Sequence, residues 1–167
     1  MANTYTNLQY HLVFSTKNRK EIIQDGFCED LYSYLGGIIR SEKGKMLSIG
    51  GTKNHIHILA SFAKSATLSN MLQQIKGGSS RWLNEQNVLP YHFGWQSGYG
   101  AFTVSESMVH VVGKYIENQV AHHKKMTFEE EYVKLLKKHG IEYNNISGIN
   151  CLRPKGRFSW GYPLSSA

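Results

Sequence analysis

A chain of 167 residues, 41% hydrophobic and 19% charged, is long enough for one domain with its own core and too apolar to be disordered. It has no run of about 18 apolar residues, which excludes a membrane-spanning helix. The formal net charge of +7 suits a polyanionic partner without requiring one.

The two cysteines, Cys28 and Cys151, lie far apart and form no CxxC pair. That excludes a disulfide framework and a cysteine zinc site. The first residues lack the basic-then-apolar pattern of a signal peptide, so a cytoplasmic location is expected.

Leu8 to Ser15 alternates as a strand, with Leu8, Tyr10, Leu12 and Phe14 on one face. A basic loop, Lys17 to Lys20, follows. Phe27 to Ser41 carries apolar residues at helical spacing, weakened in the middle by Gly36-Gly37. Met46 to Gly50 reads as a second strand, Gly51 to Asn54 as a hairpin loop, and His55 to Phe62 as a third strand. Thr67 caps a helix running to about Gln86, interrupted at Gly77-Gly78.

Pro90 to Gly100 is an aromatic loop, and Phe102 to Val104 a short fourth strand. Ser105 or Ser107 caps a helix reaching about His123. Thr127 and Glu130 form a capping box for a last helix to about His139, which Gly140 ends. The order β-α-β-β-α-β with trailing helices predicts an α+β fold of the ferredoxin-like, split βαβ kind. Its four-stranded antiparallel sheet is covered by helices on one face, with further C-terminal helices. We expect one domain over residues 1–149 and a tail over 150–167.

Two constellations carry chemistry. On a strand, His55 and His57 project from the same face and can chelate one divalent metal. Alone, such a pair is more often two hydrogen-bonded histidines. On a helix, Tyr115 and Gln119 stand four apart and share a face. Tyrosine is a poor nucleophile near neutral pH, because its pKa is about 10. A metal that polarises the phosphate under attack offsets this, and the Gln119 amide oxygen can complete its shell. Two imidazoles and one neutral oxygen suit Mg2+ or Mn2+ brought in with DNA, and zinc also accepts imidazole.

These residues resemble the single-tyrosine HUH transposases of the insertion-sequence-200/605 type, including relatives associated with repetitive palindromic elements. The resemblance runs from about Tyr5 to Tyr143. It rests on Tyr10–Arg19, Asn54–Leu59, Lys76–Trp82, Trp95–Ser105 and Tyr115–Gln119, in that order. It implies that His55, His57 and Gln119 hold a divalent metal, and that Tyr115 forms a 5′-phosphotyrosine. It implies single-stranded DNA with subterminal hairpins as substrate. It also implies a homodimer in which each site takes its histidines from one subunit and its tyrosine from the other.

Lys17, Arg19, Lys53, Lys76 and Arg81 are candidate phosphate contacts, and His122 and His123 stand near enough in sequence to support the metal. Tyr99 is the rival nucleophile, but no metal-ligand partner shares its face. His11 is read as a hydrogen-bonded strand residue, and Trp82 and Trp95 as core residues that could also stack on bases. A hairpin-binding protein without catalysis has no chemical need for all four of His55, His57, Tyr115 and Gln119. A small-phosphate hydrolase would not need the tyrosine helix.

Overall fold

The computed structural model describes residues 3–143; the expected tail from Asn150 lies outside them. Four strands form one antiparallel sheet: β1 (Gln9–Ser15), β2 (Lys45–Thr52), β3 (His55–Ser61) and β4 (Gly100–Thr103). Their spatial order is β2-β3-β1-β4, the order of the expected split βαβ fold.

The alternation read from β1 sorts two layers. Leu12 and Phe14 face α1 (Asp25–Ser41) and α2 (Leu68–Gln86), in a core that includes Leu31, Leu35, Ile56, Ile58, Leu72 and Ile75. Val13 and Phe102 face the other way, against Phe128, Tyr132, Leu135 and Leu136 of α5 (Phe128–Lys138). Burying these side chains on both faces supplies most of the drive to fold, because each fully buried large apolar side chain contributes about 1.5–3 kcal/mol.

The structure departs from the sequence reading in three places. Neither glycine pair interrupts its helix; α1 and α2 run straight through. Packing between them outweighs the local propensity cost, which is about 1 kcal/mol per glycine. The β2–β3 loop is shorter than expected: Gly51 and Thr52 pair with Ile56 and His55, leaving Lys53-Asn54 as the turn.

The third difference is the helix after β4, which arrives in pieces. A 3-10 turn at Glu106–Met108 leads into α3 (Val109–Glu117), and α4 (Gln119–His122) follows after a break at Asn118. Neither candidate serine caps it through its side chain. The last helix matches its expected start, with Thr127 and Glu130 forming both halves of the capping box.

One glycine sets the position of α3. A Cβ on Gly50 would lie 2.3 Å from the carbonyl oxygen of Ile116. The bare backbone of β2 therefore allows α3 to press directly onto the sheet. Ile116 is fully buried there, and its neighbour Tyr115 is thereby held over the strand that bears the histidines.

Candidate active site

The middle of the sheet presents His55 and His57 from β3 and His11 from β1, all on the face opposite α1 and α2. Register brings them together: Val13 pairs with His57 and Ser15 with His55. All three imidazoles are buried. Burial holds His11 and His55 down to about 3 and pulls His57 down as well, so all three are neutral near pH 7.

Their outer nitrogens are tied. His55 Nδ1 lies 2.6 Å from Asn54 Oδ1 and 3.0 Å from Thr52 Oγ1. An amide oxygen carries no proton, so His55 Nδ1 is the donor and its Nε2 keeps a lone pair. His57 Nδ1 stands 2.8 Å from His11 Nε2. His57 Nε2 is buried and faces Glu131 Oε2 at 3.3 Å, so a cation bound between them would displace any proton there and take the nitrogen's lone pair.

Opposite these nitrogens stands Glu131, which the sequence reading missed. It is 1% exposed. Its Oε2 lies 3.3 Å from His57 Nε2, 3.7 Å from His55 Nε2 and 2.9 Å from His123 Nε2. Its Oε1 accepts hydrogen bonds from the Tyr115 hydroxyl and, at 2.9 Å, from Gln119 Nε2. Burial works to raise this carboxyl, but the His57 imidazole, the Tyr115 hydroxyl and the Gln119 amide hold it well below the usual carboxylate range.

A signal for Glu131 was present. Phe128, Glu131, Tyr132 and Leu135 fall at positions i, i+3, i+4 and i+7, so this carboxylate sits on the apolar stripe of its helix.

His55, His57, His123 and Glu131 each offer a ligand atom, all within 4.8 Å of one another. The fit to a cation is chemical as well as geometric. Two imidazole nitrogens face a carboxylate oxygen across a buried gap, a donor set that a shared cation would satisfy. The hydrogen bonds to Asn54 and His11 orient both rings, as supporting partners do at metal centres. Gln119 is also present: its Oε1 lies 3.4 Å from His55 Nε2.

His123 is thus a direct member of the cluster, whereas His122 approaches Glu131 only to 3.8 Å. Tyr115 packs edge-on against His57 with ring centroids 5.9 Å apart. Burial, and then Glu131, push its hydroxyl well above the usual phenol range. The structure brings together within one chain what the resemblance divides between two subunits.

The expected phosphate contacts do not gather around this cluster. Lys76 and Arg81 lie on α2, on the other side of the sheet. Lys76 donates to the carbonyls of Gln96 and Gly98 and stands over the ring of Phe14, so it ties the aromatic loop down. Tyr99 lies beside that lysine, with its ring centroid 6.0 Å from Nζ. Arg19 pairs with Glu129 at 2.6 Å. Lys53 lies closest to the site, in the turn before His55, on a cleft that Lys124, Lys125 and His123 also line. Trp82 stacks on Tyr34, and Trp95 packs on Phe14 and Phe93 and donates to Ser79, so both are structural.

The family model described as "Transposase IS200 like" matches residues 4–119. The ISDra2 transposase TnpA of Deinococcus radiodurans is 25% identical over 117 residues, 67% of this chain and 84% of that protein. The transposase for insertion sequence element IS200 of Salmonella typhimurium is 26% identical over 125 residues, 72% of this chain and 82% of that protein. A REP-associated tyrosine transposase, solved bound to a REP hairpin, shares the fold along 99% of this chain and 98% of its own. Its TM-score is 0.57 at 13% identity. No helix among the described residues is long and apolar enough to cross a membrane. With a family match over more than half its length, the chain belongs to the IS200-like transposases.

Proposed function

We propose that this protein cleaves and rejoins single-stranded DNA at hairpin-bearing element ends, with Tyr115 as nucleophile and a 5′-phosphotyrosine as intermediate. One observation carries this reading: the Tyr115 hydroxyl is hydrogen-bonded to a carboxylate that also faces the paired histidines.

His55, His57 and Glu131 would hold a divalent metal, with His123 and Gln119 within reach. Three imidazoles in the set favour Mn2+ over Mg2+, which prefers oxygen ligands. A bound cation would polarise the scissile phosphate and offset its charge.

The rest falls to the chain's own groups. Glu131 Oε1 aims the Tyr115 hydroxyl and is placed to take its proton as the phenolic oxygen bonds to phosphorus. The bond from phosphorus to the 3′ oxygen breaks, and that oxygen leaves as a hydroxyl carrying the proton that Glu131 took from Tyr115. Rejoining reverses the exchange: an incoming 3′ hydroxyl attacks the phosphotyrosine and Tyr115 recovers its proton. One phosphodiester is exchanged for another, so neither ATP nor water is consumed. Asn54 keeps His55 in the metal-accepting tautomer, and His11 orients the His57 ring.

A second reading is a domesticated protein that binds or processes repetitive hairpin DNA without mobilising an element. It draws on the fold shared along nearly the whole chain with the transposase solved on a REP hairpin.

The test is incubation with hairpin-bearing single-stranded oligonucleotides and Mn2+ or Mg2+. A covalent protein–DNA adduct that disappears in Tyr115→Phe is expected. Binding without an adduct under either metal would sink the catalytic reading in favour of a binding role.

A further inference from the structure

A cavity of about 360 Å3 opens beside Tyr115. Its apolar wall is made by Val104, Met108, Val111, Val112, Met126 and Leu135. Val111 is 53% exposed and Met108 38% exposed. An open apolar surface next to a candidate nucleophile calls for an occupant.

We propose that this cavity takes the nucleobase of a nucleotide adjoining the scissile phosphate. The proposal rests on the catalytic reading above and adds where the strand goes.

Three observations select this occupant. The first is position. The phosphate under attack must lie against the Tyr115 hydroxyl, and Tyr115 is part of the cavity wall. The base of a neighbouring nucleotide is then carried to its mouth.

The second is size. The volume suits one planar base.

The third is charge. Lys134 and Lys138, one turn apart on α5, line the same cavity and complement the phosphates on either side of an inserted base. His139 lies against Phe102 at this cavity, with ring centroids 4.5 Å apart and planes at 22°, and its exposed ring offers a flat stacking surface. The hydroxyls of Thr103 and Ser105 are among the polar groups that line it and could meet a base edge.

Methionine methyl groups provide the readout. The chain has five methionines. Met108 and Met126 line the cavity, while Met71 lies in the core on the other side of the sheet. The Tyr115→Phe protein, labelled with 13C at the methionine methyls, is titrated with a single-stranded oligonucleotide that forms the adduct on the unsubstituted protein. Versions abasic on the 5′ or 3′ side of the scissile phosphate are run in parallel.

With the intact strand, the Met108 and Met126 signals are expected to move upfield while Met71 stays. One of the abasic strands should lose that shift and bind roughly five- to hundredfold more weakly, the range that one stacked base is worth. Val111→Trp, at an exposed position, should fill the cavity and make intact and abasic strands bind alike.

Abasic strands that bind as tightly as the intact one would overturn the proposal while leaving an observed adduct, and hence the catalytic reading, in place. Signals of Met108 and Met126 that depend on protein concentration without DNA would put a second copy in the cavity and also overturn it. Absence of any adduct would remove the catalytic reading and this proposal together.

Discussion

Gly50→Ala is the sharpest test of how the fold positions the nucleophile. The new Cβ would lie 2.3 Å from the carbonyl oxygen and 3.1 Å from the carbonyl carbon of Ile116. Both atoms are backbone, so no side chain can swing aside. Ordinary contact begins near 3.4 Å, so α3 must withdraw by about 1 Å. Overpacking of this kind costs about 1–3 kcal/mol of stability. The effect on chemistry should be larger in proportion, because Tyr115 is covalently next to Ile116. A misplacement of 1 Å costs on the order of a hundredfold in rate. The assay is the single-turnover rate of adduct formation at saturating oligonucleotide and Mn2+, at a temperature where circular dichroism shows the variant folded. An unchanged rate in a folded variant would refute the claim that Gly50 sets the Tyr115 position.

Three further outcomes follow from the site and its supporting helix. Glu131→Gln should weaken Mn2+ binding, followed by paramagnetic resonance, by no less than the roughly 10- to 100-fold that loss of a supporting partner costs; unaltered affinity would remove Glu131 from the metal set. Thr127→Ala deletes one half of the α5 capping box and should cost about 0.5–2 kcal/mol in denaturant unfolding, with an undiminished midpoint counting against it. In the metal-free protein, His11 and His55 titrate near 3 when folded and near 6.5 when unfolded. The unfolded chain then binds more protons between those values. Stability should be fully present above about pH 6.5 and fall as the pH drops toward 3; a flat acid limb in urea titrations would contradict the assigned neutrality.

What was legible in the sequence divides along physical lines. Strand alternation placed His55 and His57 on one face, and a spacing of four paired Tyr115 with Gln119. The first is a local rule that holds wherever the strand forms, and the second brought the pair to one carboxylate although the helix between them breaks. The capping box of α5 was legible for the same reason.

Glu131 was not, because it closes a run of three glutamates in the first turn of a helix. Such runs are ordinarily explained by the helix dipole. Its place on the apolar stripe sets Glu131 apart from exposed Glu130 and from Glu129, but only tertiary packing, which folds α5 back over the sheet, shows that the stripe meets the histidines. The family match ends at Gln119, and none of the sequence blocks that carry the resemblance includes Glu131. The glycine pairs misled in the opposite direction, since helix–helix packing is invisible to a local propensity. The break at Asn118 was equally hidden: Tyr115 and Gln119 do meet one carboxylate, but from two helices rather than one.

A site whose histidines, carboxylate and tyrosine all belong to one polypeptide has a consequence for kinetic order. The geometry within one chain predicts unimolecular assembly: specific activity should hold steady on dilution to nanomolar protein, and activity lost on dilution would give each site its tyrosine from a second subunit. Mixing a chain lacking His57 with a chain lacking Tyr115 should then restore nothing, and restored activity would assign the two halves to different subunits. Each molecule would then be answerable only to the DNA it meets, and the encounter that limits its turnover would be with a strand end rather than with a second copy of itself.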